Sequence, residues 1–198
     1  MKRLYLVRHG QTEFNVKKLV QGRCNSPLTE LGVKQAECAG AWLRERGVHP
    51  DCIVSSPLGR AMQTAGVLAQ SLGYTDDVES CEGIVERSYG SYEEGPFEAL
   101  PTDVWDPGEA LVPFGGEGSA ALQRRMVAAL AEQIETDGVE TLLAISHGSA
   151  SRQFIVATMP LGMKRPDRLP NCAVMIFDFD ETEHLFHFVK LVDPVRLV

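Results

Sequence analysis

The sequence predicts an α/β fold: a three-layer α/β/α sandwich around a mixed, mostly parallel central sheet. Two observations lead there. Leu4-Tyr5-Leu6-Val7 and Thr141 to Ile145 are short aliphatic runs, each closed by a His-Gly pair, Arg8-His9-Gly10 and Ser146-His147-Gly148. Runs of this kind read as buried parallel strands that end in a tight turn. Between and after them, apolar runs alternate with segments of helical period, and the chain closes in a hairpin pattern.

The elements follow in order. Residues 3–7 form the first strand, and 9–28 read as a polar loop holding Gly10, Asn15, Gly22, Asn25 and Pro27. Thr29 caps a helix that runs to about Arg46, with Gly47 as its stop. Cys52 to Ser55 is the second strand, and Pro57 opens, as a first-turn proline, a helix ending at Leu72-Gly73. A weak strand near Val78 leads into an irregular stretch from about 83 to 118. Helices over 119–136 and 149–159 flank a central strand at 141–146, and Ala173–Phe179 pairs with Leu185–Leu191 around a polar turn. The whole, 1–198, reads as one domain with a flap at about 83–118.

Bulk properties narrow the function. With 44% hydrophobic residues a full core is affordable, and a net charge of -8 disfavours nucleic acid as a partner. Five scattered cysteines without a Cys-x-x-Cys argue against a disulfide frame or zinc site. No stretch suits a signal peptide or a membrane span, so a cytoplasmic protein is expected, without membrane partners. Oligomeric state stays open, and a homodimer is compatible with the sequence.

Two imidazoles at strand ends fall where open α/β sheets bind ligands, and the neighbouring Arg8 adds an anion clamp. The combination suggests chemistry on a phosphate. The flap adds a second clue. Between Arg87 and Arg124 it holds no Lys or Arg, but Glu93, Glu94, Glu98, Asp103, Asp106, Glu109 and Glu117. Tyr89, Tyr92, Phe97, Trp105 and Phe114 supply its aromatics. An acidic, aromatic lining would suit a monophosphate whose far end is neutral, apolar or carries an amine. His49 matches nothing and is expected in solvent. His184 and His187, three apart on a presumed strand, would point to opposite faces, so a metal there is rejected.

Leu6 to Asn15, Pro27 to Gly32, Ser55 to Ala65, and Ser146-His147-Gly148 with Arg152 stand as four ordered blocks. Together they resemble the histidine phosphatase superfamily, also called phosphoglycerate mutase-like. The resemblance implies that family's fold and a phosphomonoesterase acting on a small phosphorylated substrate, with no metal and no cofactor. It implies that His9 is the nucleophile and forms a phosphohistidine that water hydrolyses. Arg8 and Arg60 would keep His9 neutral and hold the phosphate oxygens. His147 and Asn15 would donate to the same group, with Gly148 beside them. Glu86, in the pattern Glu86-Arg87-Ser88-Tyr89-Gly90-Ser91-Tyr92-Glu93, matches the family's proton donor, with Glu82 and Glu93 as rivals. Asn25 stands where the family often has Asp, which reads as a structural change. Ser149-Ala150-Ser151 departs from its usual Gly and aliphatics. A phosphoglycerate mutase and a non-catalytic phospho-ligand binder remain as alternatives. A mutase would need further cations in the flap, and the Glu-Arg-x-Tyr-Gly wording at 86–90 favours it.

Overall fold

Among the described residues, six strands form one sheet: β1 (Lys2–Arg8), β2 (Cys52–Ser55), β3 (Glu79–Ser80), β4 (Thr141–Ser146), β5 (Val174–Asp180) and β6 (Leu185–Val192), in the order β3-β2-β4-β1-β5-β6. Strands β1 to β4 run parallel, while β5 and β6 add an antiparallel edge. The computed structural model describes residues 1–104, 106–160, 162–166 and 169–196, so Trp105 lies outside the described residues.

Strand alternation sorts the apolar side chains to two faces. Leu4, Leu6, Leu142, Ala144, Met175 and Phe177 pack on one side with helices α4 (Ser119–Ile134) and α5 (Gly148–Thr158). Tyr5, Val7, Leu143, Ile145, Val174 and Ile176 pack on the other with α2 (Glu30–Glu45) and α3 (Gly59–Leu72). The period of two in the strands produces the three layers. Thr29 caps α2 through its hydroxyl, which accepts from the Gly32 amide at 3.0 Å, as the sequence predicts.

Three expectations need correction. The loop after His9 contains a five-residue helix, α1 (Glu13–Lys17), closed by a capping box between Thr12 and Asn15. One turn is too short to show a helical period, and the capping residues read equally as a turn. Pro57 lies outside α3, whose N-cap is Leu58. His184 stands in the β5–β6 turn with φ of 54°, not on a strand, and pairs with Glu135. The opposite-faces argument therefore does not apply to it. His187 instead gathers with Asp180 and Glu183 on that exposed hairpin.

Among the described residues, the stretch from 83 to 118 has short 3-10 turns at Gly90–Tyr92, Phe97–Ala99 and Val112–Phe114, after one that enters it at Glu82–Ile84. It rests on a small third apolar cluster, in which Val20, Tyr89 and Leu111 are buried. Arg87, itself fully buried, ties it down by donating to Ser149 Oγ, Ser119 Oγ and the carbonyls of Glu117 and Gly108.

Candidate active site

His9 leaves the carboxyl end of β1, and its amide donates to the Ser146 carbonyl at 3.0 Å. The loop must pass close to α2 here: a Cβ on Gly10 would fall on the Gly32 carbonyl, so only glycine fits. Nδ1 of His9 lies 2.7 Å from the Gly10 carbonyl. A carbonyl can only accept, so Nδ1 carries the proton and Nε2 keeps its lone pair. Burial, then Arg60, then Arg8, hold this imidazole well below the usual histidine range. The result is a neutral ring, oriented by its own neighbour, with the second nitrogen free to attack.

Arg8, His9, Asn15, Arg60, Glu86 and Gly148 line one cleft of about 240 Å³, so the structure brings six of the seven nominated site residues to a common wall. Arg60, from the first turn of α3, donates to the carbonyls of Cys24 at 2.8 Å and Gly22 at 2.7 Å. Burial lowers it to about 10, which leaves it charged at neutral pH. Arg8 is also buried, and it donates to the Leu169 carbonyl.

His147 sits beside His9, ring centroids 5.2 Å apart, but it is not among the residues lining the cleft. Its Nδ1 accepts from Arg60 Nε at 3.2 Å, so Nε2 carries the proton and donates to Ser56 Oγ at 2.7 Å. Both ring nitrogens are engaged. The expected donation to phosphate would have to take the Nε2 proton from Ser56.

Asn15 closes a turn and also lines the cleft. Its amide nitrogen on the backbone closes the capping box, while its side-chain oxygen accepts from the Thr12 amide and from Asn171 Nδ2, both at 3.2 Å. With Oδ1 so committed, Nδ2 is left as a donor on a cleft-lining residue. Asn171 also donates to the His9 carbonyl at 3.0 Å. It lines the cleft, yet sequence reasoning missed it. Pro170-Asn171 reads as an ordinary turn before β5, and nothing local shows that it touches a residue 162 positions away.

Glu86 is buried, and three backbone amides meet its carboxylate: Arg87 at 2.8 Å, Ser149 at 3.1 Å and Ala150 at 2.8 Å. The last two open α5, where N–H groups and the helix dipole favour an anion. The rivals fall elsewhere. Glu82 is exposed, and Glu93 accepts from the Tyr89 amide and from Cys24 Sγ. Of the variant residues after His147, Ser149 reaches the cleft wall, with its hydroxyl accepting from Arg87. Arg152 donates to the Pro166 carbonyl instead, and His49 is exposed as expected.

The expected acidic lining is corrected. Among the described residues, none of the seven flap carboxylates lines the cleft. Glu117 pairs with Arg125 and Arg23, Asp106 with Arg165, and Glu109 accepts from the Ala120 amide, while Glu94 and Glu98 face solvent. The aromatic half of the expectation holds, since Tyr89 and Phe97 both reach the wall.

A sequence profile of the histidine phosphatase superfamily (branch 1) matches residues 4–193. A probable phosphoglycerate mutase, GpmB, from Yersinia pestis (strain Pestoides F) is 33% identical over 195 residues, 93% of this chain and 88% of its own length. A mutant phosphoserine phosphatase from Entamoeba histolytica, solved with phosphoserine, superposes with a TM-score of 0.79 at 26% identity, covering 100% of both chains. A phosphoglycerate mutase structure from Bacillus anthracis str. Sterne gives a TM-score of 0.83 at 22% identity over 98% of this chain and 94% of its own, a likeness of fold.

Proposed function

The chain belongs to the histidine phosphatase superfamily, branch 1, and on that premise we propose that it is a phosphomonoesterase working through a phosphohistidine on His9. The observation that carries the reading is the His9 ring itself: Nδ1 is spent on Gly10, and two buried guanidiniums stand by. In the first half-reaction Nε2 attacks phosphorus and the ester P–O bond breaks. The proton brought in with the phosphate monoanion passes through Glu86 to the departing oxygen, which leaves as an alcohol. In the second, water attacks phosphorus, the P–Nε2 bond breaks, and the proton that the water loses passes through Glu86 to the released phosphate, leaving His9 free. Arg8, Arg60 and the Asn15 Nδ2 donor balance charge on the phosphoryl oxygens, which carry most of it in a loose transition state. His147 holds Arg60 through Nδ1. The two Arg residues supply the charge that a metal ion provides elsewhere.

A mutase is the second reading, favoured by the name of the Yersinia relative. It would have to hold a second phosphate. Arg87, the mutase-like cation of the 86–90 pattern, is a buried strut with its donors spent. Arg23 donates to the Glu86 carbonyl and pairs with Glu117.

Hydrolysis of an aryl phosphate in EDTA, wild type against His9→Ala, tests the reading. Activity that survives chelation and is lost with His9 is expected. Loss on chelation, or activity retained without His9, would overturn it.

A further inference from the structure

Beyond the phosphate donors the cleft is walled by Leu19, Val20, Tyr89, Phe97 and Val104. These belong to, or adjoin, the apolar cluster around Val20, Tyr89 and Leu111, which is separate from both sheet faces. The wall is built by chain segments locked to each other. The Val20 amide donates to the Gly95 carbonyl at 2.8 Å, the Glu94 amide to Val20 at 2.8 Å and the Phe97 amide to Lys18 at 3.1 Å. Tyr89 Oη donates to the Val104 carbonyl at 2.8 Å, which joins the two aromatic-bearing parts of the flap.

Apart from Arg8, Arg60 and Glu86, the polar side chains that line the cleft are neutral. Gln21 accepts from Thr12 Oγ1 at 2.9 Å through its side-chain oxygen, which leaves its Nε2 as a donor. Asn171 spends Nδ2 on His9 and Asn15, so Oδ1 is its remaining group. Among the described residues, none of the seven flap carboxylates, which could have recognised an amine, lines the cleft: Glu117 and Asp106 pair with arginines, Glu93 and Glu109 accept from backbone amides, and Glu94 and Glu98 face solvent.

From this wall we infer that the preferred substrate is a monoester of a small, uncharged, largely apolar alcohol, a short alkyl chain or a single aromatic ring. The inference rests on the phosphatase reading and specifies its leaving group. A charged carboxylate or ammonium laid on Phe97 and Val104 would lose its hydration without a partner. An apolar group there is removed from water at a gain proportional to its area. The cleft, about 240 Å³, lies below the usual range for drug-sized ligands, which limits the alcohol to roughly one ring.

The test compares 2-phenylethyl phosphate with phosphoserine and 3-phosphoglycerate. All three are esters of primary alcohols, so the leaving group is of one class and recognition is the main difference. The expected kcat/KM for the phenylethyl ester exceeds the other two by about tenfold or more. Phe97→Ala and Val104→Asp should each pull that ratio toward one. Should either variant fold poorly, inhibition of the wild type decides: 2-phenylethylphosphonate should bind about tenfold tighter than 2-carboxyethylphosphonate. Turnover of the charged esters at equal or greater kcat/KM would overturn this inference and leave the phosphatase standing. No hydrolysis of any of the three would overturn both.

Discussion

Asn15 is a short side chain with four hydrogen-bonding positions, and what it does depends on which end faces the cleft. Thr12 and Asn171 settle that by donating to its oxygen. Asn171→Ala should therefore lower kcat/KM mainly by freeing Asn15 to turn its oxygen toward the phosphate. A double-mutant cycle checks this: Asn171→Ala should cost about tenfold in the wild type and little in an Asn15→Ala background. Additive losses would mean that Asn171 acts independently. His9, Arg8 and Arg60 were legible in the sequence because each lies in a contiguous block at the end of a strand or the start of a helix. Asn171 was not, because its role exists only once β5 lies antiparallel to β1 and brings the turn before it against His9. The two-nitrogen engagement of His147 was hidden for the same reason: Ser56 and Arg60 meet it only across the sheet.

At the scale of elements, the flap shows what composition can and cannot tell. Its aromatics and its lack of cations were plain in the sequence, and two of those aromatics do form the cleft wall. The direction of its carboxylates was not, because charge is a property of the residue and orientation a property of its partners. Glu117 turns to Arg125, a guanidinium that also gathers the carbonyls of Gly83, Val85 and Glu86. Arg87 plays the matching part from inside. Arg87→Met should leave several buried acceptors unmet and cost roughly 3 kcal/mol, read as a lower urea midpoint. If Arg87 instead served a second phosphate, the variant would be nearly as stable as wild type and would lose activity only toward bisphosphates.

The whole molecule carries two buried imidazoles whose affinity for protons is depressed by burial and by Arg60. In the unfolded chain both revert to the ordinary histidine value near 6.5. Below that value the unfolded state binds more protons than the folded one, so stability rises with pH. The stabilisation is complete above about pH 7 and is lost as pH falls through 6.5 toward the folded values. The unfolding free energy should drop between pH 7 and 5.5, by up to about 1.4 kcal/mol per histidine per pH unit, and urea midpoints should fall with it. His9→Gln should flatten that slope. The same depression keeps His9 unprotonated in mildly acidic solution, so on the proposed mechanism the acid limb of kcat/KM should lie below the usual histidine range. The layered sheet was readable from alternation and spacing alone, because Leu4/Leu6 and Tyr5/Val7 commit to opposite faces wherever the helices lie. The helix of one turn at 13–17 escaped because it is held by two side chains and not by a period.

On the proposed mechanism the phosphoryl group passes through His9. Rapid acid-free quenching of the enzyme with a radiolabelled phosphate monoester, followed by peptide mapping, tests it directly. The expected result is a base-stable, acid-labile phosphoryl group on the peptide containing His9, present in the wild type and missing from His9→Ala. Steady hydrolysis with no trapped phosphoenzyme, or label on another residue, would contradict it.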